Sequence, residues 1–133
     1  MIKDFTCLLV DDDADDQEIF LSVLEELGPS IHCITAHNGE EAIRKLMNRE
    51  VIPDLIFVDM NMPLMNGKQF LKEYILLDGI KSIPVIILTT SADKKSMEET
   101  IRLGARDYIT KPDKLSMWGS IIREKINAFR TGA

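Results

Sequence analysis

Pro84-Val85-Ile86-Ile87-Leu88-Thr89-Thr90 stays apolar up to Leu88 and then turns polar. It is far too short to cross a membrane, and it lacks the alternation of a half-exposed strand. Such a run fits a strand buried on both faces of a parallel sheet. Four comparable runs lie elsewhere: Phe5–Val10, Ile31–Ala36, Asp54–Val58 and Asp107–Thr110. With Ile83–Thr90 they make five, their starts 23 to 29 residues apart. The intervals carry helical spacing. Residues 15–27 put Ile19, Phe20, Val23, Leu24 and Leu27 on one stripe, stopped by Gly28-Pro29. Residues 39–48 do the same with Ala42, Ile43, Leu46 and Met47, and residues 67–77 with Phe70, Leu71, Tyr74 and Leu77. Residues 93–103 carry Met97, Ile101 and Leu103 before Gly104. A last helix over about 114–130 carries Leu115, Trp118, Ile122, Ile126 and Phe129. Five strand–helix units predict an α/β fold, a five-stranded parallel sheet wound on both faces by helices.

The chain has 133 residues, room for one domain with a real core, and residues 1–133 read as one unit. Its net charge of −6 is local. Residues 1–18 hold Asp4, Asp11, Asp12, Asp13, Asp15, Asp16 and Glu18 against Lys3 alone, and the rest of the chain is balanced. A clustered Lys/Arg footprint for nucleic acid is missing, so direct nucleic-acid binding is not expected. Cys7 and Cys33 are too few for a disulfide framework and sit in apolar runs, as buried free thiols do. No stretch approaches the ~18 apolar residues of a membrane span, and the first residues lack a signal-peptide layout. A cytoplasmic protein with no membrane contact is the expectation.

In an open parallel sheet, ligands bind beyond the carboxyl ends of the strands. After the first run come Asp11, Asp12 and Asp13. After the third comes Asp59, then Met60-Asn61-Met62-Pro63. After the fourth come Thr89, Thr90 and Ser91, and after the fifth Lys111-Pro112. Crowded carboxylates repel, and a divalent cation with oxygen ligands is the usual remedy. A lysine and a hydroxyl opposite the metal would complete a cage for a phosphoryl group.

Five motifs carry a specific resemblance: Leu9-Val10-Asp11-Asp12, Asp54-Leu-Ile-Phe-Val-Asp59, Asp59-Met-Asn-Met-Pro63-Leu-Met-Asn-Gly67, Val85-Ile-Ile-Leu-Thr89 and Tyr108-Ile-Thr-Lys111-Pro112. In this order the chain resembles a response-regulator receiver domain of two-component signalling, of the chemotaxis-receiver-like, stand-alone type. The resemblance implies strand order 2-1-3-4-5, the flavodoxin-like winding. It implies that Asp59 accepts a phosphoryl group from a sensor histidine kinase or histidine phosphotransfer protein. Asp12, Asp59 and the backbone carbonyl of Asn61 would bind Mg²⁺ directly, with Asp11 acting mostly through water. Lys111 would pair with the phosphoryl oxygens and Thr89 would hydrogen-bond one of them. Pro63 and Gly67 would shape the loop that brings Asn61 to the metal, and Tyr108 would respond to Thr89. The bond before Pro112 would be cis.

Other residues read more plainly. Asp15 and Asp16 suit the capped, dipole-stabilised start of the first helix, while Asp4 and Asp13 have no firm role. Thr90 and Ser91 read as loop residues, His32 and His37 as surface or edge histidines, and Trp118 as core. Met47, Met62, Met65 and Met117 suit packing or a flexible loop. Lys94, Lys95, Arg102 and Arg106 fit a solvated face or a partner surface equally.

Alternatives fail on specifics. An EF-hand on Asp11, Asp13 and Asp15 would need Gly at Asp16 and Glu at Ser22. No P-loop is present, and aspartates would repel phosphate in a flavodoxin-type loop. A haloacid-dehalogenase-type phosphatase needs an acid at Asn61. The expected role is a non-enzymatic switch whose helix 4, strand 5 and helix 5 surface meets a downstream target protein. A relay intermediate and a metal-dependent phosphohydrolase are the competing roles.

Overall fold

The computed structural model describes residues 4–77, 82–91, 93–113 and 115–130. Lys3, Lys114 and the outer limits of the domain therefore lie outside the described residues. Five strands, β1 (Phe5–Val10), β2 (Ile31–Ala36), β3 (Leu55–Asp59), β4 (Val85–Thr89) and β5 (Asp107–Thr110), alternate with five helices. The helices are α1 (Ala14–Glu26), α2 (Gly39–Met47), α3 (Gly67–Tyr74), α4 (Lys94–Arg102) and α5 (Leu115–Arg130). All pairings are parallel, in order β2-β1-β3-β4-β5. This is the flavodoxin-like arrangement expected.

The two faces of the sheet explain the unbroken apolar runs. Leu8, Val10, Ile56, Val58, Val85 and Ile87 pack with Ala42 and Leu46 of α2 and Phe70, Leu71 and Tyr74 of α3. Cys7, Leu9, Leu55, Phe57, Ile86, Leu88 and Ile109 pack with Phe20, Val23 and Leu24 of α1 and Trp118, Ile122 and Ile126 of α5. Every residue of β3 and β4 is buried, whereas edge strand β2 alternates. Trp118 is core, edge-on to Phe20 at 6.4 Å between centroids. Cys7 is inaccessible, but Cys33, its register partner on β2, is only half-buried. Met62 and Met65 pack against the core, while Met47 and Met117 are exposed. His32 and His37 are exposed, as expected.

The start of α1 differs from expectation. The cap is Asp13, whose Oδ1 accepts the N–H groups of Asp15 (2.9 Å) and Asp16 (3.2 Å). Asp15 and Asp16 lie inside the first turn, where helical backbone aims their N–H groups back at Asp13. They complement the helix dipole but do not cap.

Helix ends follow a common device. At α4, Gly104 (φ 115) donates to Ile101 O and Ala105 donates to Thr100 O, a Schellman closure on a left-handed residue. At α2 the same two bonds run from Arg49 to Leu46 O and from Glu50 to Lys45 O. There the left-handed position holds an arginine at φ 54. That conformation costs an L-residue roughly 1–2 kcal/mol, and glycine returns about 0.5–1 kcal/mol of it as chain entropy. Arg49→Gly is therefore expected to raise the unfolding free energy by about 0.5 kcal/mol. A shift of the urea midpoint at unchanged slope would show it.

Candidate functional site

Strand register decides which side chains meet. Val10 pairs with Val58, Asp59 with Leu88, and Thr89 with Thr110. Asp11, Asp59, Thr89 and Lys111 therefore leave four neighbouring strands at one carboxyl edge. Backbone bonds pin the edge: Asp11 N–H donates to Ala36 O, Met60 N–H to Leu88 O and Lys111 N–H to Thr89 O. Gln17, at a polar position on the buried stripe of α1, donates from Nε2 to Asp11 O at 2.6 Å and to Ala36 O at 3.4 Å. Its three- and seven-residue spacing to Phe20 and Leu24 is a signal the sequence reading passed over.

Carboxylate oxygens of Asp11, Asp12 and Asp59 lie within 4.8 Å of one another. Asp11 is 1% exposed and Asp59 7%, while Asp12 faces solvent. Asp11 Oδ1 accepts the Asp13 N–H (3.0 Å), and Asp59 Oδ1 accepts the Asn61 N–H (3.4 Å). Lys111 Nζ stands 3.5 Å from Asp11 Oδ2, 3.5 Å from Asp59 Oδ1 and 2.9 Å from Asp16 Oδ2. Asp16 entered the sequence reading only as a helix-start acid. Its partner lies 95 residues away, so only the packing of α1 beside the β5–α5 turn reveals it.

Burial pushes the Asp11 carboxyl up to about 6; the Asp13 N–H and Lys111 oppose this, and the Asp59 and Asp16 charges add to it. Asp59 is likewise raised by burial, against Lys111 and the Asn61 N–H, with the Asp12 charge adding to the rise. Burial alone would lower the Lys111 pKa; the hydrogen bond to Asp16 and the charges of Asp11 and Asp59 outweigh it and hold it high. The donor set is hard oxygen, excess in negative charge and open through Asp12. It fits a divalent cation such as Mg²⁺.

The supporting loop is tight. Met65 N–H donates to Pro63 O at 2.7 Å across Leu64, which sits at φ 68 and is 89% exposed. A Cβ on Gly67 would lie 3.0 Å from Met60 Cα, so glycine lets the start of α3 close on the residue after Asp59. Asn66 and Gln69 form a reciprocal capping box there. On the other side, buried Thr89 accepts the Ser91 N–H on Oγ1 (3.1 Å), and Tyr108 OH donates to Ser91 O (2.9 Å). Thr90 is exposed. The Lys111–Pro112 bond, expected cis, is trans, since no described peptide bond is cis. The isomers of an X–Pro amide differ by only about 0.5–1 kcal/mol, so the dipeptide does not fix the choice.

A model of the response regulator receiver domain matches residues 7–121. The chain belongs to the response-regulator receiver family. The sensor histidine kinase CheAY of Helicobacter pylori is 32% identical over 124 residues, covering 93% of this chain and 15% of that protein. The first curated relatives it matches are longer proteins, of which the chain spans between 15% and 48%. The phosphorylated cyanobacterial phytochrome response regulator RcpA superposes with a TM-score of 0.86 at 25% identity, over 98% of this chain and 96% of that one. The Mn²⁺-bound response regulator Rcp1 gives 0.87 at 25% identity, over 97% and 96%. The receiver accepts a phosphoryl group in two-component signalling, and histidine kinases are the donors of its family. Among the described residues, no helix is long and apolar enough to cross a membrane.

The buried acid at the centre makes stability depend on pH. A folded pKa near 6 for Asp11 lies above the unfolded ~3.9, so the native state holds the extra proton. The stability from this group is full below the unfolded value and is lost as pH rises through about 6. Without metal, Asp11→Asn should exceed the parent by about 1–3 kcal/mol at pH 8, and the gap should close near pH 4. Urea unfolding of both proteins at the two pH values measures it. A variant less stable than the parent at pH 8 would contradict a desolvated Asp11.

Proposed function

We propose that Asp59 is the phosphoacceptor and that residues 1–133 act as one receiver unit. The observation that carries this is the approach of Asp11, Asp12 and Asp59 within 4.8 Å with Lys111 alongside. Asp12, Asp59 and the Asn61 carbonyl would hold Mg²⁺, with Asp11 acting through water. The ion, when bound, supplies positive charge to the phosphoryl oxygens. An Asp59 carboxylate oxygen attacks phosphorus, the P–N bond of a donor phosphohistidine breaks, and the imidazole leaves with its electron pair. Lys111 neutralises charge on the transferred group and Thr89 Oγ1 donates to one of its oxygens.

The new charge would resemble the −1.5 to −2 that phosphorylation adds elsewhere. Drawing Thr89 toward it breaks the bond that Oγ1 accepts from Ser91, and Ser91 is also the partner of Tyr108. Tyr108 lines an open groove of about 640 Å³ with Lys94, Met97, Ile101 and Arg102. We assign the α4–β5–α5 face, of which this groove is the α4–β5 part, to a downstream target protein, so Lys94 and Arg102 read as partner-facing. Lys95 is exposed, and Arg106 instead lies over the Phe129 ring at 5.9 Å. The upstream partner is a sensor histidine kinase or a phosphotransfer protein, in the cytoplasm, and partners are proteins, not nucleic acid or membrane. The chain performs self-directed phosphoryl transfer and no turnover of external substrate.

Incubation with acetyl phosphate should label the protein only when Mg²⁺ is present, and Asp59→Asn should abolish the label. Intact-mass measurement reads this directly. Label retained in the variant would move the phosphoacceptor elsewhere.

A further inference from the structure

Lys111 has one more acidic neighbour than its proposed duty requires. Its shortest contact is with neither member of the acidic cluster that it touches. Nζ lies 2.9 Å from Asp16 Oδ2 and 3.5 Å from both Asp11 Oδ2 and Asp59 Oδ1. Asp16 stands outside the three-carboxylate cluster. Its side chain is 37% exposed and that of Lys111 14%, so the pair sits at the rim. A cleft of about 220 Å³ opens beside it, its lining including Asp16, Thr90, Lys111, Pro112, Asp113 and Trp118. The ammonium therefore has somewhere to be held, and the room to move.

An ammonium free to choose between two carboxylates and solvent would settle on Asp11 and Asp59. It would then cancel one of the three negative charges that attract a divalent ion, and occupy part of the space between them. The Asp16 bond pulls the same charge outward along α1. We propose that Asp16 is a positioning residue: it holds Lys111 Nζ at the edge of the acidic cluster and so keeps Asp11, Asp12 and Asp59 open to Mg²⁺. This rests on the reading of those three acids as the metal site.

Asp15 supplies a matched control. It shares the first turn of α1, carries the same charge, and is exposed, with no ion pair among the described residues. A weaker helix start falls on both positions alike, whereas a direct attraction between the Asp16 charge and a cation would survive removal of the lysine.

Isothermal titration calorimetry with MgCl2 on the whole chain tests this without reference to phosphorylation. Asp16→Asn should weaken Mg²⁺ about fivefold, the size of one ion pair of about 1 kcal/mol, and Asp15→Asn by less than about twofold. Asp16→Ser, which also suits a first turn, is the second variant should the amide unfold the protein, and thermal melts identify that case. In a Lys111→Ala background the difference between the two positions should vanish, because Asp16 acts only through the lysine. An Asp16→Asn effect no larger than that of Asp15→Asn, or one that persists undiminished in Lys111→Ala, overturns the proposal. A parent chain with no Mg²⁺ binding overturns the metal-site reading itself. A parent that binds, with Asp16→Asn matching Asp15→Asn, overturns the role of Asp16 alone.

Discussion

Repulsion among Asp11, Asp12 and Asp59 is the constraint around which this molecule is arranged. Two like charges 4 Å apart cost about 4 kcal/mol at an effective dielectric of ~20, and whole domains are stable by only about 5–15 kcal/mol. Carboxyl oxygens within 4.8 Å, two of the three acids buried, are thus a large fraction of what the fold can bear. The rigid sheet bears it. Leu9, Val58 and Leu88, just inside the carboxyl edge, are at most 1% exposed, Val58 in the core on one face of the sheet and Leu9 and Leu88 in the core on the other. Relief by splaying the strands would open that core.

The same edge that concentrates charge also carries its consequences away from it. Lys111 N–H is held by Thr89 O, Thr89 Oγ1 by Ser91 N–H, and Ser91 O by Tyr108 OH. These links are hydrogen bonds at the ends of strands β4 and β5. On the proposed reading, Thr89 would move so that its O–H donates to a phosphoryl oxygen, and that movement would give up only the one bond Oγ1 accepts from the Ser91 N–H. A neutral hydrogen bond contributes about 0.5–1.5 kcal/mol net, well below a charge-assisted one. On that reading, charge at Asp59 would rearrange the loop after β4 while the sheet stays fixed, as a local charge biases a two-state element.

Period and alternation made the architecture legible before any coordinates. Each apolar run became a strand within two residues of its expected bounds. Strands β3 and β4, buried throughout, are unbroken apolar runs up to their last residue, while edge strand β2 keeps β-branched and apolar residues although exposed positions alternate along it. Asp59, Thr89 and Lys111 were legible as strand-terminal residues, since a carboxyl edge is a position in sequence as much as in space. Three features were not. Asp13 and its neighbours are one aspartate-rich stretch, so composition alone did not say which residue caps. The isomer of Lys111–Pro112 turns on an energy difference too small for a dipeptide to report. The Asp16–Lys111 pair joins residues 95 positions apart through the packing of α1 beside the β5–α5 turn, and nothing local to either residue encodes it.

That pair changes how the acidic N-terminal segment should be understood. Residues 1–18 carry the entire net charge of the chain, yet the charges do different work according to burial. Asp11 sits inside, at a cost set by desolvation. Asp13 spends its charge on two backbone N–H groups, and Asp15 faces water. Asp16, half-exposed, reaches across to the only described lysine near the cluster. On the proposed reading, a metal ion and Lys111 would compete for the same carboxylates, and a phosphoryl group would want both at once. An acid at the rim reconciles these demands, because it binds the lysine weakly enough to release it to a dianion and strongly enough to keep it out of the metal's way. A part-buried pair at the rim, with Asp16 37% and Lys111 14% exposed, lies between an exposed pair of about 0.2–1 kcal/mol and a buried one that costs about 3–5 kcal/mol to break. Only a pair nearer the first meets both conditions.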